Sequence, residues 1–574
     1  MTMQREKWMV AGKRADFRAI GEKYGIDQVT ARIMRNRDVV GDDAIKKYLK
    51  GGLSQLYSPH QMKDMDRLIR ILQEKIAEKK HIRIIGDYDI DGIQSTYILL
   101  KGIRRAGGMV TAAIPDRMKD GYGINENLIT QAKESGMDTI ITCDNGIAAL
   151  DAIAYAKEVG MTVLVTDHHD IPYEDQDGTR IYKESNADAI VNPKQEACSY
   201  PFSGICGAVV AWKVIQALYE ACGIPAEEAM EFLENAAFAT VGDVMDLVDE
   251  NRIIVKYGIE QMRHTKNKGL SALMQQKNIA PEQLSAYHLG FVLGPCINAS
   301  GRLDTAVRSL KLMLAEGEAE AAVLAAELSD LNEERKDMTV EGVEDAMQVI
   351  EQERLDRQKV MVVYLPELHE SLAGIVAGRI REAYHHPVFV LTKSEEGVKG
   401  SGRSIETYSM YEELCKCQDL FTKFGGHPMA AGLSLPEENV EEFTKQINAC
   451  ATLEEEDFIP KIHIDVPMPL SYVTEHLVEE FRMLEPFGKG NTKPLFADKN
   501  IRVTKHWLVG RNRNVLKLTL EDAWGNSYPA VYFGEVERMM DFLEEKDVIS
   551  ILYYPEINSY MGRREIQFVV SGYC

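Results

Sequence analysis

At 574 residues with 45% hydrophobic and 27% charged residues, the chain exceeds one domain at ~150 residues each and is too apolar for wholesale disorder. Its net charge of −23 excludes a general basic coat for duplex DNA, but leaves room for a local basic groove or a metal site of carboxylates. No apolar run approaches the ~20 residues that span a bilayer, residues 1–8 lack the apolar core of a secretory leader, and nine cysteines without a Cys-x-x-Cys pair read as reduced thiols.

In chain order, residues 1–70 are expected to be an N-terminal helical segment, with Met62, Met65, Leu68, Ile69, Leu72 and Ile76 on one apolar face. From His81, apolar runs at 82–85, 109–114, 139–143, 162–165 and 189–191 alternate with helix-like stretches. That alternation implies right-handed βαβ units on a parallel sheet covered on both faces, here assigned to 71–250. A helical connector is expected over 251–356, ending in a linker helix across 314–355 whose weak points are Gly317 and Gly342. A second α/β unit is expected at 357–455, opening on the run 360–364. Strand-like segments at 515–520, 548–553 and 566–570 predict a small β-barrel of oligonucleotide-binding (OB) type at 460–574. The fold class is α/β with a terminal barrel. A cytoplasmic protein with no membrane partner is expected.

Three of the first sheet's strands end in acids: Asp87, Asp89 and Asp91 after the first, Asp144 after the third, and Asp167-His168-His169 after the fourth. Ligands of open parallel sheets bind at the carboxyl ends of strands, so these groups should share one crevice. So many carboxylates repel one another unless cations neutralise them, and oxygen with imidazole suits Mn²⁺ or Mg²⁺. A calcium loop starting at Asp87 would need Glu at its twelfth position, where Ile98 stands. Asp144-Asn145-Gly146 alone reads as a turn, and His385-His386 as a structural pair. It is the three acidic strand ends in order that carry the signal.

These residues, with Asp243 in Ala239-Thr240-Val241-Gly242-Asp243-Val244, resemble the four-motif signature of the DHH phosphoesterases. Gly425-Gly426-His427 resembles the motif of their associated second domain (DHHA1). Pro115-Asp116-Arg117, Gly121-Tyr122-Gly123, Asn298-Ala299-Ser300-Gly301-Arg302, Ser401-Gly402-Arg403-Ser404 and Leu484-Glu485-Pro486-Phe487-Gly488 are similar to one branch, the RecJ single-strand-specific exonucleases. The likeness implies a two-metal centre. Asp144 would bridge two ions, Asp89 with Asp87 would hold the first, and Asp91, His168 and Asp243 the second. Asp144, Asp167, His168 and His169 form the implied catalytic set, with His169 on the scissile phosphate. Some relatives carry His where Ile85 stands. Ser401, Arg403 and Arg302 would grip the strand's terminal phosphate, and Gly425, Gly426 and His427 would let backbone and imidazole approach the substrate. Cys296 replaces an Arg usual in the family.

Between Lys489 and Lys517 lie eight basic residues and one acid, Asp498. Lys505, Trp507, Arg511, Arg513 and Lys517 are the expected strand-binding groups, because charge follows the backbone and a ring stacks a base. The resemblance implies 5′→3′ hydrolysis of single-stranded DNA in repair and recombination. One alternative is a DHH phosphodiesterase on short oligonucleotides or cyclic dinucleotides, which the basic barrel opposes. Another is a non-catalytic strand-binding scaffold, which the intact acids oppose. No Gly-x-x-x-x-Gly-Lys-[Ser/Thr] phosphate loop occurs. A monomer working with a helicase and a single-strand-binding protein is expected.

Overall fold

The computed structural model describes residues 6–117, 120–121, 123–176, 179–395, 397–510, 512–560 and 563–574. The first sheet has five strands in the order Met109–Ala113, His81–Ile85, Thr139–Cys143, Thr162–Thr166 and Ala189–Val191. All its pairings are parallel. The strand Thr139–Cys143 is buried along its whole length, as a central strand covered by helices on both faces must be. Ile85, on the first strand, is fully buried among the residues of one covering layer. The helices Ile90–Arg105 and Gly207–Cys222 form the other layer.

The connector ends in an unbroken helix, Glu318–Glu353, of 36 residues, or about 54 Å at 1.5 Å per residue. Gly317 caps its start, as a weak point would, but Gly342 lies inside it. A Cβ at Gly342 would come within 2.8 Å of Leu368 and 3.2 Å of Val376. Glycine is there to admit a neighbour, not to break the helix.

The second α/β unit carries a five-stranded mixed sheet ordered Lys423–His427, Ala430–Leu435, Gly397–Arg403, Val388–Ser394 and Met361–Tyr364. At the C-terminus, Phe496–Val509 pairs with both Val515–Glu521 and Val548–Tyr560. The circuit continues through Ser527–Tyr532 and Arg563–Tyr573 and closes on itself. Closure removes the sheet's free edges.

The N-terminal helices do not stand apart. Ile26, Ile33, Met34, Ile45 and Leu49 share one core with the barrel's Leu470, Phe481, Phe496 and Tyr553. Met65, Leu68, Ile69 and Leu72 of the helix Met65–Ala77 instead join the core of the first sheet. Periodicity marks a face for burial without saying what will cover it. Among the described residues no helix is long and apolar enough to cross a membrane.

Candidate metal centre

The acidic strand ends meet at the carboxyl edge of the first sheet. Asp89 caps the helix Ile90–Arg105, accepting from the Asp91 and Gly92 amides at 2.9 and 3.1 Å. Asp91 spends both oxygens on a second helix start, accepting from Gly207 N at 2.6 Å and Ala208 N at 2.7 Å. A carboxylate held this way is aligned with the positive end of the helix Gly207–Cys222. Asp144 stands in the left-handed region at φ 61°, a conformation that Asp tolerates better than most residues. Gly207 lies so close that a Cβ there would fall 2.8 Å from the Asp144 Cβ. Buried Asn145 ties the edge together, donating to Ile85 O and Cys143 O and accepting from Ile124 N.

Three overlapping groups have ligand atoms within 4.8 Å of one another: Asp87, Asp89 and Asp144; Asp91, His168 and Asp243; and Asp144, His168 and His169. Asp144 and His168 each belong to two. His168 Nε2 lies 3.1 Å from Asp144 Oδ1, 3.5 Å from Asp91 Oδ2 and 3.8 Å from Asp243 Oδ2. Neither ring nitrogen of His168 makes a hydrogen bond, and nor does Asp87 Oδ1, although all three atoms are buried. Burial lowers the His168 pKa, so the ring itself supplies no charge to offset the acids. Burial and the neighbouring Asp89 push Asp87 well above the carboxylate range. Burial with Asp91, Asp89 and Asp87 does the same to Asp144. Burial and Asp91 raise Asp243 to about 8. Buried carboxylates that destabilise one another as anions, beside a neutral imidazole whose ring nitrogens make no hydrogen bond, fit hard divalent cations.

Asp167 faces away from this cluster. It accepts from Ile147 N, from the His168 and His169 amides, and lies 2.8 Å from His169 Nδ1. Burial would raise its pKa, but the bond to His169 and that ring's charge hold it below the ordinary value. The same bond overcomes the opposing effect of burial and raises His169 to about 9. Asp167 thus orients His169 and keeps it protonated.

Across the cleft, His427 is exposed on its hairpin, with Nδ1 4.0 Å from Asp170 Oδ2 just beyond His169. Gly426, at φ 151°, has no room for a Cβ, which would meet Ala430 O and Ala431 Cα at 2.5 Å. A Cβ at Gly425 would meet open space. Arg403 donates to Ser401 Oγ at 3.1 Å, and a Cβ at Gly374, in the first turn of the helix Ala373–Tyr384, would touch both side chains. Arg302 donates to Ser371 O at 2.7 Å, three residues earlier in that segment. The three groups therefore gather at one helix start, a natural anion site.

Two further arginines lie within electrostatic reach of Arg302. Burial, then Arg117 and Arg335, lower Arg302 to about 10. Arg335 comes from the inward face of the helix Glu318–Glu353 and also acts on the Cys296 thiol, which is fully buried. Arg117 was visible in its motif; nothing near Cys296 in the chain pointed to Arg335.

On the barrel, Trp507 and Lys517 are direct cross-strand partners, with Lys505 two residues from the tryptophan, all exposed. Arg513 is exposed in the turn between their strands, and Arg511 lies outside the described residues. Lys489, Lys493 and Arg502 pair with Asp246, Glu556 and Asp547. Leu247 N donates to Lys489 O at 2.7 Å, docking the barrel's leading loop beside Asp243.

One consequence concerns pH. The metal-free fold binds protons at Asp87, Asp144 and Asp243 that the unfolded chain has released, so its stability falls as pH rises from the carboxylate range towards about 8. A cation replaces those protons and binds more tightly as pH rises. The gap in Tm between Mn²⁺-loaded and chelated protein should be wider at pH 8 than at pH 6; an equal or narrower gap refutes this account of the cluster.

Comparison with known proteins follows the same three parts. Residues 81–240 match the DHH family, N-terminal domain; 357–453 match the DHHA1 domain; 464–572 match the RecJ OB domain. A single-stranded-DNA-specific exonuclease RecJ of Bacillus subtilis is 33% identical, covering 100% of this chain and 71% of that protein. The one from Salmonella typhimurium is 32% identical over 94% of each. RecJ from Thermus thermophilus, crystallised with Mn²⁺, superposes with a TM-score of 0.84 at 25% identity, over 100% of this chain and 80% of that one.

Proposed function

This chain belongs to the RecJ family of single-stranded-DNA-specific exonucleases, and from that premise we infer that it hydrolyses single-stranded DNA from the 5′ end with two divalent ions, Mn²⁺ or Mg²⁺. The observation that carries the reading is the convergence of Asp87, Asp89, Asp91, Asp144, His168 and Asp243 in overlapping ligand groups, together with the gathering of Ser401 and Arg403 of the second domain and Arg302 of the connector at one helix start. When bound, the ions supply an activated water and neutralise charge on the phosphodiester and the leaving oxygen.

The chain's own residues do the rest. Asp87 and Asp89 would hold one ion, Asp91, His168 and Asp243 the other, and Asp144 both. Protonated His169, fixed at Nδ1 by Asp167, can donate from Nε2 to a phosphate oxygen. Ser401, Arg403 and Arg302 hold the terminal phosphate and thereby set which end enters. His427 closes the cleft from the opposite side. Trp507, Lys505, Arg513 and Lys517 lead the strand in. The chain lacks an ATP phosphate loop, so it depends on strands already separated in repair or recombination. A helicase and a single-strand-binding protein are the partners this requires, and a monomer carries every group named.

The decisive assay offers 5′- and 3′-labelled single strands, duplex and a dinucleotide with Mn²⁺ or Mg²⁺. Release from the 5′ label on single strands is expected; initiation at the 3′ end or equal attack on duplex overturns the reading. A companion experiment neutralises Lys505, Arg513 and Lys517 together. The salt-dependence slope of long-strand binding should fall by about 2, at ~0.7 per phosphate contact, while dinucleotide turnover barely changes. Equal loss on both substrates would mean that the barrel face supports folding, not capture.

A further inference from the structure

All nine cysteines are free thiols, and several lie against oxygen or nitrogen. Cys143 and Cys206 meet the hydroxyls of Thr96 and Thr240, Cys296 donates to a carbonyl, and Cys198 accepts from Lys63 N. Cys417 differs, because its thiol hydrogen-bonds with the thiol of Cys450. Cys417 follows the helix Met410–Cys415, and Cys450 ends the helix Val440–Cys450. These helices pack together, and Cys417 shares one core with Phe443, Ile447 and Ala451. Among the described residues no convergent group of three metal-ligating side chains includes either thiol.

Core thiols usually serve only as small apolar fillers. Beside this pair, however, stands Tyr408, 4% exposed, whose hydroxyl makes no hydrogen bond. A buried polar group left so is rare and needs a reason. Burial, Glu413 and both thiols keep the Tyr408 proton in place, so a donor without an acceptor lies within electrostatic reach of the two sulfurs. An oxygen carried by one of those sulfurs would supply the acceptor. Burial orders the two thiols. Cys450 is half-buried and open to solvent. Cys417 is buried, and burial with Cys450 pushes its thiol up to about 11, so it meets an oxidant slowly by itself.

We propose that Cys417 and Cys450 are a redox-modification site, a pair that a hydroperoxide converts to a disulfide and a dithiol restores. The Cys450 sulfur attacks the O–O bond and takes one oxygen as sulfenic acid; its proton leaves with the other oxygen as water or an alcohol. Tyr408 donates to the sulfenic oxygen. The Cys417 sulfur then attacks the Cys450 sulfur, the S–O bond breaks, and the oxygen departs as water with the Cys417 proton. Two thiols thereby give two electrons to one hydroperoxide. The cross-link brackets the strands Lys423–His427 and Ala430–Leu435, the hairpin that presents Gly425, Gly426 and His427. Closing that loop stabilises the second α/β unit and spares Cys450 from irreversible conversion to sulfinic acid.

The test treats the full, folded chain with hydrogen peroxide in Mg²⁺, which is redox-inert, alkylates the remaining thiols and maps the peptides by mass. A Cys417–Cys450 cross-link should form before any other, raise the Tm, and disappear with dithiothreitol. Cys417→Ala should leave Cys450 as a sulfenic acid that dimedone captures and that excess peroxide carries on to the sulfinic acid. Tyr408→Phe should slow cross-linking severalfold while the Tm of the reduced protein barely moves. The wild-type cross-link needs no substitution, so the result does not depend on whether a variant folds. Cross-links scattered among the other cysteines, or sulfinic acid at Cys450 beside an alkylated Cys417, overturn the proposal. An unchanged Tm in the cross-linked protein overturns the stabilising role, and an unchanged rate in Tyr408→Phe removes the tyrosine from the reaction.

Discussion

Asp144→Asn should abolish strand cleavage, by a thousandfold or more, while leaving the melting temperature of the metal-free protein unchanged or higher. Asp144 is the carboxylate common to two ligand groups, one with Asp87 and Asp89 and one with His168 and His169. Losing it weakens both ion positions at once, and removing even one group that stabilises transition-state charge costs ~10²–10³. The fold loses little, because burial and the charges of Asp91, Asp89 and Asp87 already oppose an anion at this position. Asn is the sharper probe than Ala, since the residue sits at φ 61° and Asn tolerates that conformation better. Asp144→Ala should show the same catalytic loss plus up to about 1 kcal/mol of backbone strain. Asp89 gives the contrast. It serves one ligand group and also caps the helix Ile90–Arg105, so Asp89→Asn keeps the cap and should recover partly at high Mn²⁺. Single-turnover rates across a Mn²⁺ titration decide it: a tenth of the wild-type rate in Asp144→Asn at saturating metal removes the shared role.

How far the chain announced all this depends on how local each signal was. The strand ends were legible because continuous apolar runs ending in Asp87, Asp144 and Asp167 place those acids on one edge by topology alone. The barrel's basic, tryptophan-bearing face was legible as composition, and the cross-strand partnership of Trp507 with Lys517 added the geometry. What stayed hidden is the choice among neighbours that are distant in sequence. The chain shows Asp91 as one more candidate ligand, but not that its oxygens also accept from the Gly207 and Ala208 amides at a second helix start. Asp167 stands in the motif beside His168 and His169, but its carboxylate turns back to hold His169 Nδ1. Gly342 has the same composition whether it breaks a helix or admits Leu368. The helices near Ile33 and Leu49 give no hint that they complete a core with Phe496, far along the chain.

Arg403→Ala should erase the enzyme's preference for a 5′-phosphate over a 5′-hydroxyl and slow initiation, with the metal centre untouched. Arg403 is held by Ser401 Oγ and Gly402 O at the start of the helix Ala373–Tyr384. Its guanidinium is half-buried, and burial with Arg381 lowers its pKa. A phosphate entering there would gain a charge-assisted, often bidentate contact, and truncating one partner of such a pair costs ~2–5 kcal/mol. The preference should therefore fall by about thirtyfold or more, to near unity. Cys296 bears on how large that preference is to begin with. The family resemblance implies Arg at the position of Cys296, whose neutral thiol would leave the proposed pocket a cation short, but the thiol is fully buried and donates to Val292 O at 3.3 Å. Arg there would have to force its way through a packed helix contact. Arg335, which acts on both Cys296 and Arg302 from the long helix, is placed to supply the missing charge instead. Arg335→Met should then lower the 5′-phosphate preference severalfold, less than Arg403→Ala because Arg335 acts through its charge on Arg302 while Arg403 is held directly by Ser401. Initiation rates on matched 5′-phosphate and 5′-hydroxyl strands for wild type, Arg403→Ala and Arg335→Met measure both effects. The same ratio in all three proteins would place the terminal phosphate elsewhere; a ratio lost only in Arg403→Ala would keep the pocket and remove Arg335 from it.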